Sequence, residues 1–385
     1  MNDVVTIVSI IISFSLIIFL VANRKNFALS VLLGAFLLSA LHPEKLPDLL
    51  YKTVSDWKVL SLILIVLLIK LLATILQESG EMKQLINALS SKLSYRGLLI
   101  TIPSVLGLLP VPGGALLSAP LIHNEKAKKE ELTFINLWYR HIWFMIFPLA
   151  TPLVLLADLS GENIFTLIKL QIPIFVICFF VGLFFVSKFS GDKGVKKEGS
   201  YRGLIAILLP VSIAISLSFF MSTYPAFLIA LPAGIFASLY ISERKSFDMV
   251  KKGISINLAV AIFGIMLLKN IILDTGATSI IYSHLSSYNS ILIISSLSFI
   301  VGLLTAHNLA AVGILYPILS PFIDSVALVS LLYISSFMGY LISPIHPCVV
   351  LTYDYFKPKF TSLYKLMLPP AILIVIIATI IYGIL

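Results

Sequence analysis

The sequence predicts an all-α polytopic membrane protein of two inverted repeats, with about ten transmembrane helices and two re-entrant hairpins. Three observations predict it. First, the 385 residues are 59% hydrophobic and only 12% charged, with a mean hydropathy of +1.05, whereas soluble domains carry about 25% charged residues. Second, the apolar runs are continuous and approach the roughly 20 residues that a helix needs to cross a bilayer, without the alternation of a membrane β-barrel. Third, landmarks of the first half recur near half the chain length.

The recurrence is collinear. Glu78-Ser-Gly matches Asp274-Thr-Gly at an offset of 196, Gly107 matches Gly302 at 195, and Pro120 matches Pro317 at 197. Pro148 and Pro152 match Pro344 and Pro347 at 196 and 195, and Asp158 matches Asp354 at 196. The first repeat is accordingly 1–195 and the second 197–385.

In order, the first repeat reads as helices at about 4–22, 27–42 and 59–77 and a short amphipathic segment near 81–93. A broken stretch over 97–122, a helix from 133 to 158 interrupted at 148–152, and a helix at 164–187 follow. The second repeats this as 203–221, 225–241, 257–273, a stretch over 290–321, 326–357 broken at 343–347, and 366–385. Met1 to Leu20 lacks the basic start and small-residue cleavage site of a signal peptide and reads as a retained helix. The arm from Gly97 to Leu109 extends only about 20 Å at 1.5 Å per residue, against a hydrocarbon core of about 30 Å. Two such arms meeting at a Pro/Gly tip form a hairpin that enters and leaves on one side. Each repeat then crosses five times, and an odd number inverts the second copy.

Charge tests this independently. With Arg24 and Lys25 inside, 20 of the 27 Lys and Arg fall on the cytoplasmic side. Lys45, Lys52, Lys58 and Lys169 fall outside, and Lys70, Arg140 and Lys269 lie within helices. This is the positive-inside asymmetry, and it puts both termini outside. It also accounts for the net charge of +9 without nucleic acid as a partner. Cys178 and Cys348 sit in apolar sequence and read as packing residues, and no carboxylate or thiolate cluster has metal-ligand spacing.

Four interruptions fall inside apolar sequence: 110–114 (PVPGG), 147–152 (FPLATP), 305–308 (TAHN) and 343–347 (SPIHP). Irregular backbone survives at membrane depth only where protein or a watery cavity surrounds it. Inverted repeats with broken helices are the usual design of secondary transporters, in which half-helix N-termini face anions and freed carbonyls hold cations. Candidate substrate-binding residues are Pro112, Gly113, Gly114 and Ala115 at the first tip, Thr305, His307 and Asn308 at the second, and Arg140, His141 and His346 at the broken helices. Candidate coupling-ion residues are Val111, Gly113, Thr151, Thr305, Asn308 and Ser343, with sodium at the hairpin tips. Gly113 and Gly114 allow close approach to bare backbone. His307 and His346 read as anion-binding or proton-carrying groups, or else as histidines satisfied by a neighbouring carbonyl. The polar residues at the breaks read as ligands or as helix caps. Arg140 reads as the counter-charge of an anion or as a snorkelling cation. Lys70 and Lys269 read as partners of Glu78, Asp274 or another buried acid. Asp158 and Asp354 read as partners of nearby cations.

This arrangement of three helices, a hairpin, a proline-broken helix and a final helix, duplicated with inversion, resembles the ion transporter superfamily. That group contains the divalent anion/sodium symporters and the gluconate and arsenite transporter families. The string PVPGGALLSAP, 110–120, is similar to the signature of the domain-of-unknown-function family 401 of prokaryotic membrane proteins. The resemblance implies an elevator, with 97–158 and 290–357 as the transport domain and the remaining helices as a scaffold and dimer interface. It further implies a homodimer in a prokaryotic cytoplasmic membrane. The chain departs from the dicarboxylate branch, which carries Ser-Asn-Thr at both tips.

The function expected is therefore secondary active transport of a small anionic organic solute, coupled to sodium or protons and without a cofactor. A channel or inorganic-ion antiporter of the same superfamily is the alternative. An intramembrane enzyme is disfavoured, because the sequence has no HExxH, GxSG or GxGD motif.

Overall fold

Among the described residues every regular element is a helix, and the helices of the two halves come in the same order. The structure, a computed structural model, describes residues 3–108, 114–189, 198–242 and 247–385. In the first half these are α1 (Asp3–Ala22), α2 (Phe27–Ser39), α3 (Leu46–Ser55), α4 (Trp57–Glu78) and α5 (Glu81–Lys92). They are followed by α6 (Tyr95–Gly107), α7 (Gly114–Ser118), α8 (Lys129–His141), α9 (Thr151–Ser160) and α10 (Ile164–Val186). The second half has α11 (Arg202–Ser218), α12 (Thr223–Ile241), α13 (Phe247–Gly253), α14 (Ile256–Asp274) and α15 (Ala277–Leu285). It ends with α16 (Ser290–Thr305), α17 (Asn308–Leu319), α18 (Val326–Ile342), α19 (Pro347–Phe356) and α20 (Phe360–Ile384).

Local chemistry sets many of these boundaries. Asn26, Asp56, Ser94 and Asn163 accept N-terminal amides of α2, α4, α6 and α10, and Ser255, Asn289 and Ser325 do so for α14, α16 and α18. Such caps satisfy amides that have no partner within the helix. The repeated Glu-Ser-Gly and Asp-Thr-Gly have a common cause. Gly80 and Gly276 take left-handed backbone, φ +82° and +67°, at the turns into α5 and α15, a conformation that costs glycine little. Pro173 and Pro369, again 196 residues apart, lie inside the corresponding helices α10 and α20.

Packing exchanges in the same way. α2 packs on α14 and α12 on α4; α9 packs on α17 and α19 on α7; α8 packs on α19 and α18 on α9. Each of these contacts between the halves thus recurs with the two halves exchanged. Within each half two helices cross at a glycine, α6 over α8 at Gly107 and α16 over α18 at Gly302. A Cβ on Gly107 would collide with the Arg140 carbonyl, and one on Gly302 with that of Ser336.

Seven helical spans among the described residues are long and apolar enough to cross a membrane, and α15 with α16, bent by 116° at their junction, would make an eighth. Three of the ten predicted crossings fall short: α2 has 13 residues, α11 has 17, and α8 and α9 are separated by the break. Three helices were also not in the sequence reading, namely α3, α13 and α15. Each is too short for a transmembrane signal. The helix expected from 133 to 147 stops at His141 and passes into a tight 3₁₀ turn over Ile142–Met145, so the interruption is wider than Pro148 and Pro152 suggest. α18 and α19 together are the most enclosed span, whereas α10 and α20 turn residues such as Phe180, Phe184 and Ile380 outward. The chain is a multi-pass α-helical membrane protein.

Candidate functional site

The two broken helices meet across the halves. α8 of the first half packs on α19 of the second, which brings together the last residue of one and the cap of the other. The imidazoles of His141 and His346 lie edge to face with centroids 4.9 Å apart. Both are buried, at 1% and 2% exposure. His141 Nδ1 is 2.6 Å from the Leu137 carbonyl. A carbonyl only accepts, so Nδ1 carries the proton and Nε2 holds the lone pair. His346 Nδ1 is buried with no hydrogen-bond partner. Tyr340 lies 4.2 Å from the His346 ring, and Tyr340 and Phe144 flank His141 at 5.8 Å.

Arg140 is buried beside the pair, and its Nη1 donates to the Leu106 carbonyl at 2.9 Å. It joins the end of α8 to the end of the first hairpin arm. It is therefore an interior group and not a cation reaching for the surface. Cys348, two residues beyond His346, completes a cluster in which ligand atoms of His141, His346 and Cys348 lie within 4.8 Å of one another. These three could hold a metal ion.

The tips differ. Val111, Pro112 and Gly113 lie outside the described residues. Gly114 opens α7, and the Ala115 carbonyl accepts from Asn136 at 3.3 Å and from Ser118 at 3.2 Å. At the second tip, Ala306 has φ +48°, an uncommon backbone for a residue with a Cβ. Thr305 donates back to Val301 at 2.8 Å, inside its own helix. His307 caps α17, its Nδ1 accepting the Ala310 amide at 3.2 Å, and its ring stacks near Phe27 at 4.7 Å. It is exposed and does not join the His141–His346 pair. Asn308 is 4% exposed, and its carboxamide faces the Tyr333 hydroxyl without a well-formed hydrogen bond. Ser343 donates to the Leu303 carbonyl at 2.6 Å and ties the second break to the second hairpin. Thr151 opens α9 and is half-buried.

The charged residues follow the sequence expectation in part: another buried acid, and neither Glu78 nor Asp274, faces Lys269. Glu78 pairs with Lys252 at 2.9 Å and Asp274 with Lys45 at 3.0 Å, so neither acid serves Lys70 or Lys269. Lys269 faces Asp158 instead. The reason is position: Glu78 and Asp274 end α4 and α14, where Lys252 of α13 and Lys45, just ahead of α3, reach them from the other half of the chain. Asp158 also lines a cavity of about 350 Å³ with Lys58, Asn163 and Tyr224.

Sequence reasoning missed Asn136, whose amide also donates to Thr352 Oγ1 at 3.2 Å and so joins α7, α8 and α19. Its signal was a lone carboxamide in an apolar helix. It likewise missed Tyr333, Tyr340 and Cys348, which look like ordinary packing residues without the fold.

The family model described as "Protein of unknown function (DUF401)" matches residues 6–385. This chain belongs to that family. No curated protein matches it. Among solved structures this family member is similar to the Alcanivorax borkumensis YdaH transporter, a protein of unusual topology. The TM-score is 0.57 at 14% identity, covering 83% of this chain and 84% of that one. At that identity the likeness speaks for the fold alone.

Proposed function

We propose that the protein is a secondary active transporter of a small anionic organic solute, driven by sodium or protons, and a member of the ion transporter superfamily. The observation that carries this reading is the junction of α8 and α19. There a buried guanidinium, two buried imidazoles and buried polar atoms without partners share the middle of a membrane protein. Those atoms are His346 Nδ1 and Asn136 Oδ1; Asn308, in α17 and facing Tyr333, holds two more such atoms outside the junction. Leaving such a group unpaired costs about 1–3 kcal/mol, and in hydrocarbon the cost rises. A polar solute that enters the junction would satisfy the first two.

In this reading Arg140 supplies positive charge, and His141 and His346 supply hydrogen bonds or carry the coupled proton. The first tip, with Pro112, Gly113, Gly114 and Ala115, presents backbone. Thr305, Asn308 and Ser343 at the second tip and break, with Thr151 and the carbonyl of Val111, are the candidate sodium ligands. His307 has a smaller part, since capping α17 occupies its Nδ1.

Elevator movement is supported by the packing within each of two groups of helices, although α20 packs on α18 and α10 on α8 across them. Residues 97–158 and 290–357 hold each other through α9 with α17, α7 with α19 and α8 with α19. Outside them α1 packs on α2, α11 on α12, α2 on α14 and α4 on α12. The cavity beside Asp158 lies on the boundary between these sets, bordered by α9 on one side and by α4 and α12 on the other. The inverted arrangement, whichever side the termini face, is supported by the ion pairs. Lys45–Asp274, Lys252–Glu78 and Lys188–Glu131 each join two residues that the charge asymmetry assigns to one side. A homodimer formed by the scaffold, in a prokaryotic cytoplasmic membrane, completes the proposal.

The test is a thermal-shift screen of organic acids with and without sodium, followed by uptake into proteoliposomes. A saturable, gradient-driven uptake of an acid that also raises Tm is expected. Currents too large for a carrier would instead make the protein a channel.

A further inference from the structure

We infer that His141, His346 and Cys348 form a binding site for a soft monovalent d¹⁰ metal cation of the Cu⁺ class. This stands apart from which solute the protein carries, although metal and solute would compete for the two imidazoles.

Four observations lead there. The three ligand atoms lie within 4.8 Å of one another. In a metal site such atoms sit about 3.5 Å apart, given metal–nitrogen bonds of about 2.0 Å and metal–sulfur bonds of about 2.3 Å, so side-chain adjustments of about an ångström close the set. His346 Nδ1, on a side chain only 2% exposed, has no hydrogen-bond partner. His141 is already held as a metal-ligating histidine is: its Nδ1–H donates to the Leu137 carbonyl at 2.6 Å, which fixes the tautomer and leaves Nε2 to coordinate. Finally, Cys348 lies in the first turn of the ten-residue helix α19. Binding breaks the Cys348 S–H bond and forms a sulfur–metal bond, and the proton leaves to solvent. The negative charge so created lies where the helix dipole favours an anion.

The charge of the neighbourhood selects the metal. Arg140 is buried next to His141. A divalent ion bound to one thiolate and two neutral imidazoles leaves a net positive charge beside that guanidinium, whereas a monovalent ion leaves none. Uncompensated buried charge is costly, and thiolate with imidazole suits Cu⁺ as a soft ion.

Ag⁺, a redox-inert stand-in for Cu⁺, is the probe. The purified full-length protein, loaded with Ag⁺ and desalted, should retain one ion per chain at this site. Cys178, buried elsewhere, provides the control. C178A should keep the ion, whereas C348S and the double variant H141N/H346N should lose it. In the unaltered protein, Ag⁺ should slow alkylation of Cys348, read by mass spectrometry, about tenfold or more, which needs no variant to fold. Zn²⁺ should protect at least about tenfold less well than Ag⁺ at equal concentration, following ligand softness. Unchanged Cys348 alkylation with Ag⁺, full retention by a folded H141N/H346N, or better protection by Zn²⁺ would each overturn the inference. Failure of the solute screen leaves these readouts unaffected.

Discussion

His141 and His346 are separated by 205 positions in the chain, yet their rings are 4.9 Å apart. One ends the helix before the first break and the other caps the helix after the second. The contact is therefore made of two discontinuities, one from each repeat. A polar centre can persist there because neither helix continues through it.

Arg140 should be needed for solute binding as a fork of donors and not only as a charge. R140K keeps the charge but loses the guanidinium geometry. Uptake by R140K and R140Q should both fall about tenfold or more, a loss of about 1.4 kcal/mol or more in transition-state stabilisation. If R140K transports as well as the unaltered protein in proteoliposomes, geometry is not what Arg140 contributes.

Gly107 and Gly302 should tolerate no side chain. Either G107A or G302A pushes a methyl group into a backbone carbonyl of the crossing helix, and a backbone cannot step aside as a side chain can. Each should lose about 1–3 kcal/mol, the usual cost of overpacking, seen as a lower Tm in detergent. An unchanged Tm would mean that the hairpin arms do not cross as closely as described.

Asn136 should couple the first hairpin to α19. N136A leaves the Ala115 carbonyl and the Thr352 hydroxyl without this donor. A double-mutant cycle between N136A and T352V should give an interaction energy of about 0.5–1.5 kcal/mol. Additive effects on unfolding would show that the hydrogen bond contributes nothing.

The ion pairs Lys45–Asp274 and Lys252–Glu78 should lie on opposite faces of the membrane. In a C178A/C348S background, K45C should react with an impermeant maleimide added to intact cells. K252C should react only after permeabilisation. Labelling of both from the same side would refute the inverted arrangement.

The repeat was legible because its landmarks answer to local physics. Gly80 and Gly276 are needed where the chain turns through left-handed backbone, and Gly107 and Gly302 where helices nearly touch. The fold shows why those residues recur. The short helices α3, α13 and α15 were not legible, because seven to ten residues carry too little pattern. The end of α8 at His141 was not legible either. No glycine or proline marks it, and the chain leaves the helix in a 3₁₀ turn before Pro148.

By itself the sequence determined that this is a helical membrane protein, and it carries recurring landmarks and four interruptions of its apolar runs. Those properties follow from hydropathy, charge and residues with special backbone freedom, all of which act locally. The tertiary structure alone decided which break meets which. It paired His141 with His346 and left His307 to cap its own helix. It gave Asn136 two partners, buried Arg140 against the hairpin, and brought Cys348 within reach of both imidazoles. Such choices depend on contacts between residues hundreds of positions apart, set by how helices of one half pack into the other.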